Sequence, residues 1–185
     1  MGKTTNALEK IAETFFAGNK EEALALFSQL KEEHLKVASN LQLPTSNLQL
    51  NDLFTEVEWL LHDQPVREYD YYYDQIVCLG ELLSTAIISN YLNSINIKNH
   101  WIDVRDIVRT DDNFRDAGID WDFTKDKVTT EIIPLFTNNN IIIAQGFIGA
   151  TDENESTTLG REGSDYSAAI FANMLDAENQ TIWKD

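Results

Sequence analysis

The sequence predicts an α/β protein, a three-layer α/β/α sandwich around a mainly parallel sheet. Three observations carry this expectation. Strand-like and helix-like patterns alternate after Asn96. Ile141-Ile142-Ile143-Ala144 is a short β-branched run of the kind found in buried parallel strands. Beyond it come Gln145-Gly146-Phe147-Ile148-Gly149, a polar acidic loop, and a helical pattern through Ala168, Ala169, Phe171, Ala172 and Leu175. Gly146 and Gly149 would let the backbone turn tightly and approach something closely. Ser164 or Asp165 is suited to cap the last helix. Strand, glycine-rich turn and helix N-terminus together make an anion site, to which Arg161 adds a planar two-pronged donor for a carboxylate or phosphate.

The elements before this loop follow in order. Asn6 with Glu9 resembles a capping box, and Ala7, Leu8, Ile11, Ala12, Phe15 and Phe16 form a stripe ending at Gly18. Asn19 opens a second helix with Leu24, Phe27, Leu30, His34, Leu35, Ala38 and Leu41 spaced for one face, ended by Pro44. A third helix holds Leu50, Leu53, Phe54, Val57, Leu60 and Leu61. His34 and His62 have no partner at metal-ligand spacing and read as surface or boundary residues. A fourth helix runs from roughly Arg67 to Leu92; the tyrosines at its start, Tyr69, Tyr71, Tyr72 and Tyr73, read as packing. Glu81 lies in its apolar middle beside Gly80. An isolated buried carboxylate is costly, so it needs either a salt bridge, a solvated position or a ligand, and the residues alone leave all three open.

His100-Trp101-Ile102-Asp103-Val104 reads as a strand, with Asp103, Arg105 and Arg109 at its C-terminal end, where ligands of parallel sheets collect. A structural Asp–Arg pair accounts for these charges as well as ligand contact does. Thr124 to Phe136 reads as a helix, Asn154-Glu155-Ser156 as a polar loop, and Gln180 to Lys184 as the start of a strand. Gly2-Lys3-Thr4-Thr5 resembles the tail of a P-loop but lacks that motif's earlier glycine and its preceding strand.

Composition sets the outer bounds. With 185 residues, 43% hydrophobic, the chain is expected to be one domain with a real core, burying roughly 70% of its unfolded surface. A formal net charge of −17 argues against nucleic acid or an anionic membrane as partner, and any anion it binds needs local compensation. The single cysteine, Cys78, excludes an internal disulfide and fits a reducing cytosol. No uninterrupted apolar run reaches membrane-span length, and the N-terminal stretch is too charged for a signal peptide. A soluble cytoplasmic protein is expected.

Several motifs together resemble the aspartate kinases of the amino-acid kinase superfamily. Gly146-Phe147-Ile148-Gly149, then Thr157-Thr158-Leu159-Gly160-Arg161-Glu162-Gly163-Ser164-Asp165-Tyr166, is similar to that family's substrate and phosphate loop. Thr5-Asn6, Gly80-Glu81-Leu82-Leu83-Ser84, Asp103-Val104-Arg105, Arg109-Thr110-Asp111 and Trp183-Lys184-Asp185 resemble its other motifs, in order along nearly the whole chain. The resemblance implies the amino-acid kinase fold, truncated at both ends, so that residues 1–185 form part of a catalytic domain. The family's N-terminal Lys-Phe-Gly-Gly strand, the rest of its nucleotide-binding segment and its C-terminal regulatory ACT domains have no counterpart.

It further implies ATP-dependent phosphorylation of L-aspartate on its β-carboxylate, the first step towards lysine, threonine and methionine, with Mg²⁺ as the accompanying cation. Substrate binding would fall to Thr5, Glu81, Phe147, Arg161, Gly163 and Ser164. Glu81 would take the α-amino group, Arg161 the α-carboxylate, Thr5 with backbone N–H groups the rest, and Phe147 would wall the pocket. Nucleotide contacts would fall to Gly163, Ser164, Asp165, Lys184 and Asp185. Asp165 would be the catalytic residue, positioning a lysine or metal. Aspartate has one ammonium and two carboxylates, and an acid with several donors is the matching set. Glu162 departs from the glycine common at its position and adds negative charge. The piece is expected to be inactive alone, its parent a homodimer or larger; a non-catalytic aspartate-binding relative and another amino-acid kinase are the alternatives.

Overall fold

In the computed structural model, residues 3–43 and 50–183 are described. Pro44 and the expected nucleotide residues Lys184 and Asp185 lie outside them. Contacts group the chain into two compact units, Met1–Ile97 and Lys98–Asp185.

The first unit is helical: α1 (Thr4–Phe16), α2 (Lys20–Asn40), α3 (Leu50–His62) and α4 (Tyr69–Ser94). Most of each apolar stripe read from the sequence faces this unit's interior, although Ala7 and Phe16 of the first are exposed. Leu8, Ile11 and Phe15 of α1, Phe27 and Leu30 of α2, Phe54 and Leu61 of α3, and Ile76, Leu79, Leu82 and Leu83 of α4 are all but fully buried. The tyrosines do pack: Phe15–Tyr72 and Phe16–Tyr69 make edge contacts at 5.4 and 5.3 Å between ring centroids. The Tyr72 hydroxyl accepts from the backbone N–H of Val66 at 2.7 Å, tying down the segment before α4.

Three expectations need correction here. First, α1 starts at Thr4 from a left-handed Lys3 (φ +80) with no side-chain cap, so Asn6 and Glu9 stand inside the helix and form no capping box. Second, His34 is not a surface residue. It is 4% exposed, on the buried face that Phe27, Leu30 and Ala38 define, and Nδ1 donates to the Leu30 carbonyl at 2.8 Å. Helical spacing put it there, and the bond to its own helix satisfies that ring nitrogen. Third, α4 is by length and apolarity long enough to cross a membrane, although no single apolar run suggested it; half of that stretch is buried among its neighbours, as in a core helix.

The second unit is mixed. β1 (His100–Trp101) pairs in parallel with β2 (Ile142–Ile143), His100 opposite Ile142. β3 (Ile148–Ala150) pairs antiparallel with β4 (Ser156–Thr158), and a parallel bridge joins Arg109 to Ala150. These parallel pairings beside helices give the α/β class that the sequence predicts. The strands are shorter than their sequence patterns, and the described part of Gln180 to Lys184 is not strand. Between β1 and β2 the helix begins at Trp121, where Asp120 caps it by accepting from the Phe123 N–H at 3.0 Å. α5 (Trp121–Lys127) continues as a π turn, Val128–Ile132, and a 3-10 turn, Ile133–Thr137. Pro134 explains the change: it lacks an N–H and its ring crowds the preceding turn. Val128 and Ile132 nevertheless keep their place in the core with Ile107, against Phe171 and Met174.

α6 (Gly163–Met174) closes the unit. Neither Ser164 nor Asp165 caps it; both lie in its first turn, and the N-cap is Glu162 at φ +61, which makes no side-chain cap bond. Gly160, also left-handed at φ +73, and the Gly163 N–H donating to its carbonyl at 3.2 Å tighten the approach so that the helix starts earlier than the capping residues suggest. The glycines of the Gly146 loop serve close approach and not φ. A Cβ on Gly146 would stand 3.1 Å from Ser164 Cα, and one on Gly149 would stand 2.8 Å from the Val108 carbonyl oxygen.

Two outcomes follow for stability. Gln145 is 2% exposed, and its side chain accepts from the Val104 N–H at 2.8 Å and donates to the Ile102 carbonyl at 3.1 Å. Gln145→Leu strands both backbone groups and should cost about 2–4 kcal/mol in chemical denaturation. At position 162 the left-handed conformation ranks residues by their Cβ, so thermal melts of Glu162→Gly and Glu162→Val should bracket the parent. Valine is expected to be lower by about 1–2 kcal/mol and glycine equal or slightly higher.

Candidate functional site

The expected site residues fall on both units, and each group has its own geometry. In the first unit, Thr5 and Glu81 occupy adjoining stretches of two packed helices. Gly80 makes this possible: a Cβ there would stand 3.0 Å from Leu8 Cδ1 and 3.5 Å from Thr4 Cγ2, so α4 lies directly against the start of α1. Thr5 is exposed, whereas Glu81 is half-buried. Burial holds the Glu81 carboxyl above the ordinary glutamate range. Ser84 and Thr85 donate to the Glu81 backbone carbonyl, at 3.1 and 2.8 Å, not to its side chain. Among the described residues none supplies a salt bridge to that carboxylate, so none of them fills the salt-bridge reading left open by the sequence. A cavity of about 330 Å³ nearby is lined by Lys3, Thr4, Ala7, Leu30, Glu33, His34 and Val37; neither Thr5 nor Glu81 lines it.

In the second unit the structure gathers Phe147, Gly163 and Ser164 at the start of α6. A Cβ on Gly163 would stand 2.6 Å from Phe147 Cδ2, so the aromatic ring lies against the bare glycine. Phe147 itself is left-handed, φ +72. Arg161 is exposed in the turn leading to α6, and Ser164 is exposed while Asp165 is half-buried in the first turn. The first N–H groups of a helix lack intrahelical partners and carry the positive end of its dipole, so this turn can receive an anion, with the Arg161 guanidinium close in sequence.

The same unit holds the charges that the sequence left between structure and function. Asp103 and Arg105 form a two-pronged pair, with Nη2–Oδ2 at 2.7 Å and Nε–Oδ1 at 3.0 Å. Arg105 also donates to the Ser156 hydroxyl at 3.2 Å, fastening this segment to β4. The Arg109 guanidinium stacks over the Phe123 ring, 4.2 Å from its centroid. These side chains shape the sheet edge. Sequence reasoning assigned no role to Gln145 or Ser167, although both lie in the motif it singled out. A buried serine at i+4 from a helix-opening glycine is the one signal that would have marked Ser167.

No cluster of three or more acidic, His or Cys side chains surrounds a common point among the described residues.

The sequence model of the amino acid kinase family matches residues 2–185. Lysine-sensitive aspartokinase 3 of Escherichia coli (strain K12) is 38% identical over 112 residues, 60% of this chain and 25% of that protein. The bifunctional aspartokinase/homoserine dehydrogenase of Buchnera aphidicola subsp. Acyrthosiphon pisum (strain APS) is 31% identical over 191 aligned positions, 99% of this chain and 23% of its own length. The chain thus spans about a quarter of the length of these relatives. Among solved structures, E. coli aspartokinase III in complex with lysine and aspartate superposes with a TM-score of 0.87 at 28% identity, over 100% of this chain and 41% of that one. The same enzyme in complex with aspartate and ADP gives 0.84, with the same coverage. With a match that runs from residue 2 to the last, a shared α/β fold and aspartokinases among its relatives, the chain belongs to the amino acid kinase family.

Proposed function

We propose that the protein to which this chain belongs is an aspartate kinase, transferring the γ-phosphoryl group of ATP to the β-carboxylate of L-aspartate to give 4-phospho-L-aspartate and ADP. The observation that carries the reading is the likeness over the whole chain to an aspartokinase solved with aspartate and ADP. The chemistry of the residues agrees with it. Glu81 offers a half-buried carboxylate to which no described residue brings a cation, which suits the α-ammonium group. Arg161 offers a fork for the α-carboxylate, Thr5 a hydroxyl, and Phe147 an apolar wall beside the start of α6. A carboxylate oxygen attacks phosphorus while the bond to the ADP oxygen breaks; no proton moves, so no protein nucleophile or base is required. Catalysis is then positioning and charge stabilisation.

In this reading Gly163, Ser164 and Asp165 meet the transferred phosphoryl group at the α6 N-terminus, Asp165 positions a lysine or metal, and Lys184 and Asp185 belong to the nucleotide side. Mg²⁺ would neutralise phosphate charge that a chain of net charge −17 tolerates poorly. We further propose a cytoplasmic location, in keeping with the single buried thiol Cys78.

Calorimetry with L-aspartate, L-glutamate and UMP tests the assignment: L-aspartate should bind at least about tenfold more tightly than the others. Preference for L-glutamate or UMP would move the chain to another branch of the family. The two charged roles should show as coupling, with Glu81→Gln and Arg161→Ala each weakening L-aspartate binding and the double variant losing less than the sum.

The raised Glu81 carboxyl has a definite sign in pH. Its neutral form is favoured in the folded state, so its contribution to stability is intact below the ordinary glutamate range and is lost as pH rises through the elevated value. Glu81→Gln should therefore melt higher than the parent at pH 7 to 8, and the difference should vanish at acid pH. L-Aspartate binding should run the other way, falling as pH drops and Glu81 gains its proton, with a midpoint above the ordinary glutamate range.

A further inference from the structure

We propose that Ser167 is a positioning residue for the substrate turn, holding Phe147 in a left-handed conformation so that its ring stands against the first turn of α6. The proposal rests on the aspartate kinase reading, in which Phe147 walls the substrate pocket.

The geometry is specific. Phe147 has φ +72, a region that a residue with a bulky side chain rarely occupies without outside constraint. Ser167 is 4% exposed on α6, one helical turn beyond Gly163. Its Oγ accepts the Phe147 backbone N–H at 2.9 Å and donates to the Gly163 carbonyl at 2.9 Å. One hydroxyl thus satisfies the turn and remains anchored to the helix, which no purely accepting or purely donating side chain could do. The Phe147 carbonyl is taken from the other side by the Leu159 N–H at 2.8 Å. With both backbone groups engaged, the ring alone remains to face a ligand, and its placement is set by Gly163, where any Cβ would fall 2.6 Å from Phe147 Cδ2.

Loss of the hydroxyl would leave the Phe147 N–H without its partner and release the strained turn, while the bulk of α6 packing, carried by Ile170 against Ala117 and Leu159, stays in place. A threonine side chain keeps a hydroxyl on the same Cβ, so Ser167→Thr is the rescue variant.

The test pairs two measurements on the full 185-residue chain: amide exchange of Phe147 followed by ¹H–¹⁵N spectra, and calorimetric titration with L-aspartate. In Ser167→Ala the Phe147 amide should exchange at least about tenfold faster, and the Kd for L-aspartate should rise about tenfold, while Ser167→Thr should return both to within about threefold of the parent. If Ser167→Ala does not fold, Ser167→Cys, similar in size with weaker bonds, takes its place. Unchanged Phe147 exchange overturns the clamp. Faster exchange with unchanged Kd, or a Kd that the threonine variant does not restore, overturns the positioning role. A parent chain that binds no L-aspartate overturns the kinase reading and the substrate part of this proposal, and the exchange measurement still judges the clamp by itself.

Discussion

Between β2 and β3 the chain lies flush against the start of α6, and Phe147 takes a left-handed φ at that contact. Its left-handed φ is tolerated because groups far away in sequence hold it: the Ser167 hydroxyl on one side and the Leu159 N–H on the other. Upstream, the Gln145 amide is bonded to the backbone at Ile102 and Val104. Each tie is a single hydrogen bond worth on the order of 1 kcal/mol net, but breaking one inside the protein strands its partner and costs more. The turn is thus over-determined, which is the condition under which such backbone strain persists. Gly146 and Gly163 complete the arrangement by removing the two Cβ atoms that would keep turn and helix apart.

The helical unit makes a different concession. α4 is apolar along most of its length, yet it holds Glu81 half-buried with its carboxyl pushed up by desolvation. A protein selected for stability alone would place leucine or glutamine there. In the proposed aspartate kinase reading the cation that meets this acid is the ammonium group of the amino-acid substrate. Gly80 contributes by bringing α4 against Thr4 and Leu8, so that the acid and the start of α1 share one neighbourhood. Neither feature depends on the overall charge of −17, which acts against anionic ligands and leaves the work to local donors such as Arg161 and the α6 N-terminus.

Most of the element order was legible in advance because the apolar spacing was clean: the buried faces of α1 to α4 are those the 3.6-residue repeat picks out, His34 included. Element ends were less legible. Asn6, Ser164 and Asp165 all have the chemistry of caps, but left-handed residues at Lys3 and Glu162 begin their helices earlier, and no local pattern announces a left-handed lysine or glutamate. Pro134 stood in plain sight inside an expected helix; its effect, a π turn followed by a 3-10 turn, follows from the missing N–H.

For the candidate site, the residue types were written in the sequence: a fork-shaped cation at Arg161, an acid in an apolar helix at Glu81, a glycine-bearing turn before a helix. Their motifs identified the family, because motif order survives where overall identity is modest. What the tertiary structure alone decided is which of them are held and by what. Asp103 and Arg105 are locked to each other and to β4, Glu81 carries no salt bridge from the described residues, and Phe147 is fixed by a serine twenty positions away. The physical reason is that periodicity reports which face of an element is buried, whereas hydrogen bonds between distant segments depend on how the backbone closes in space, and one-dimensional spacing does not encode that closure.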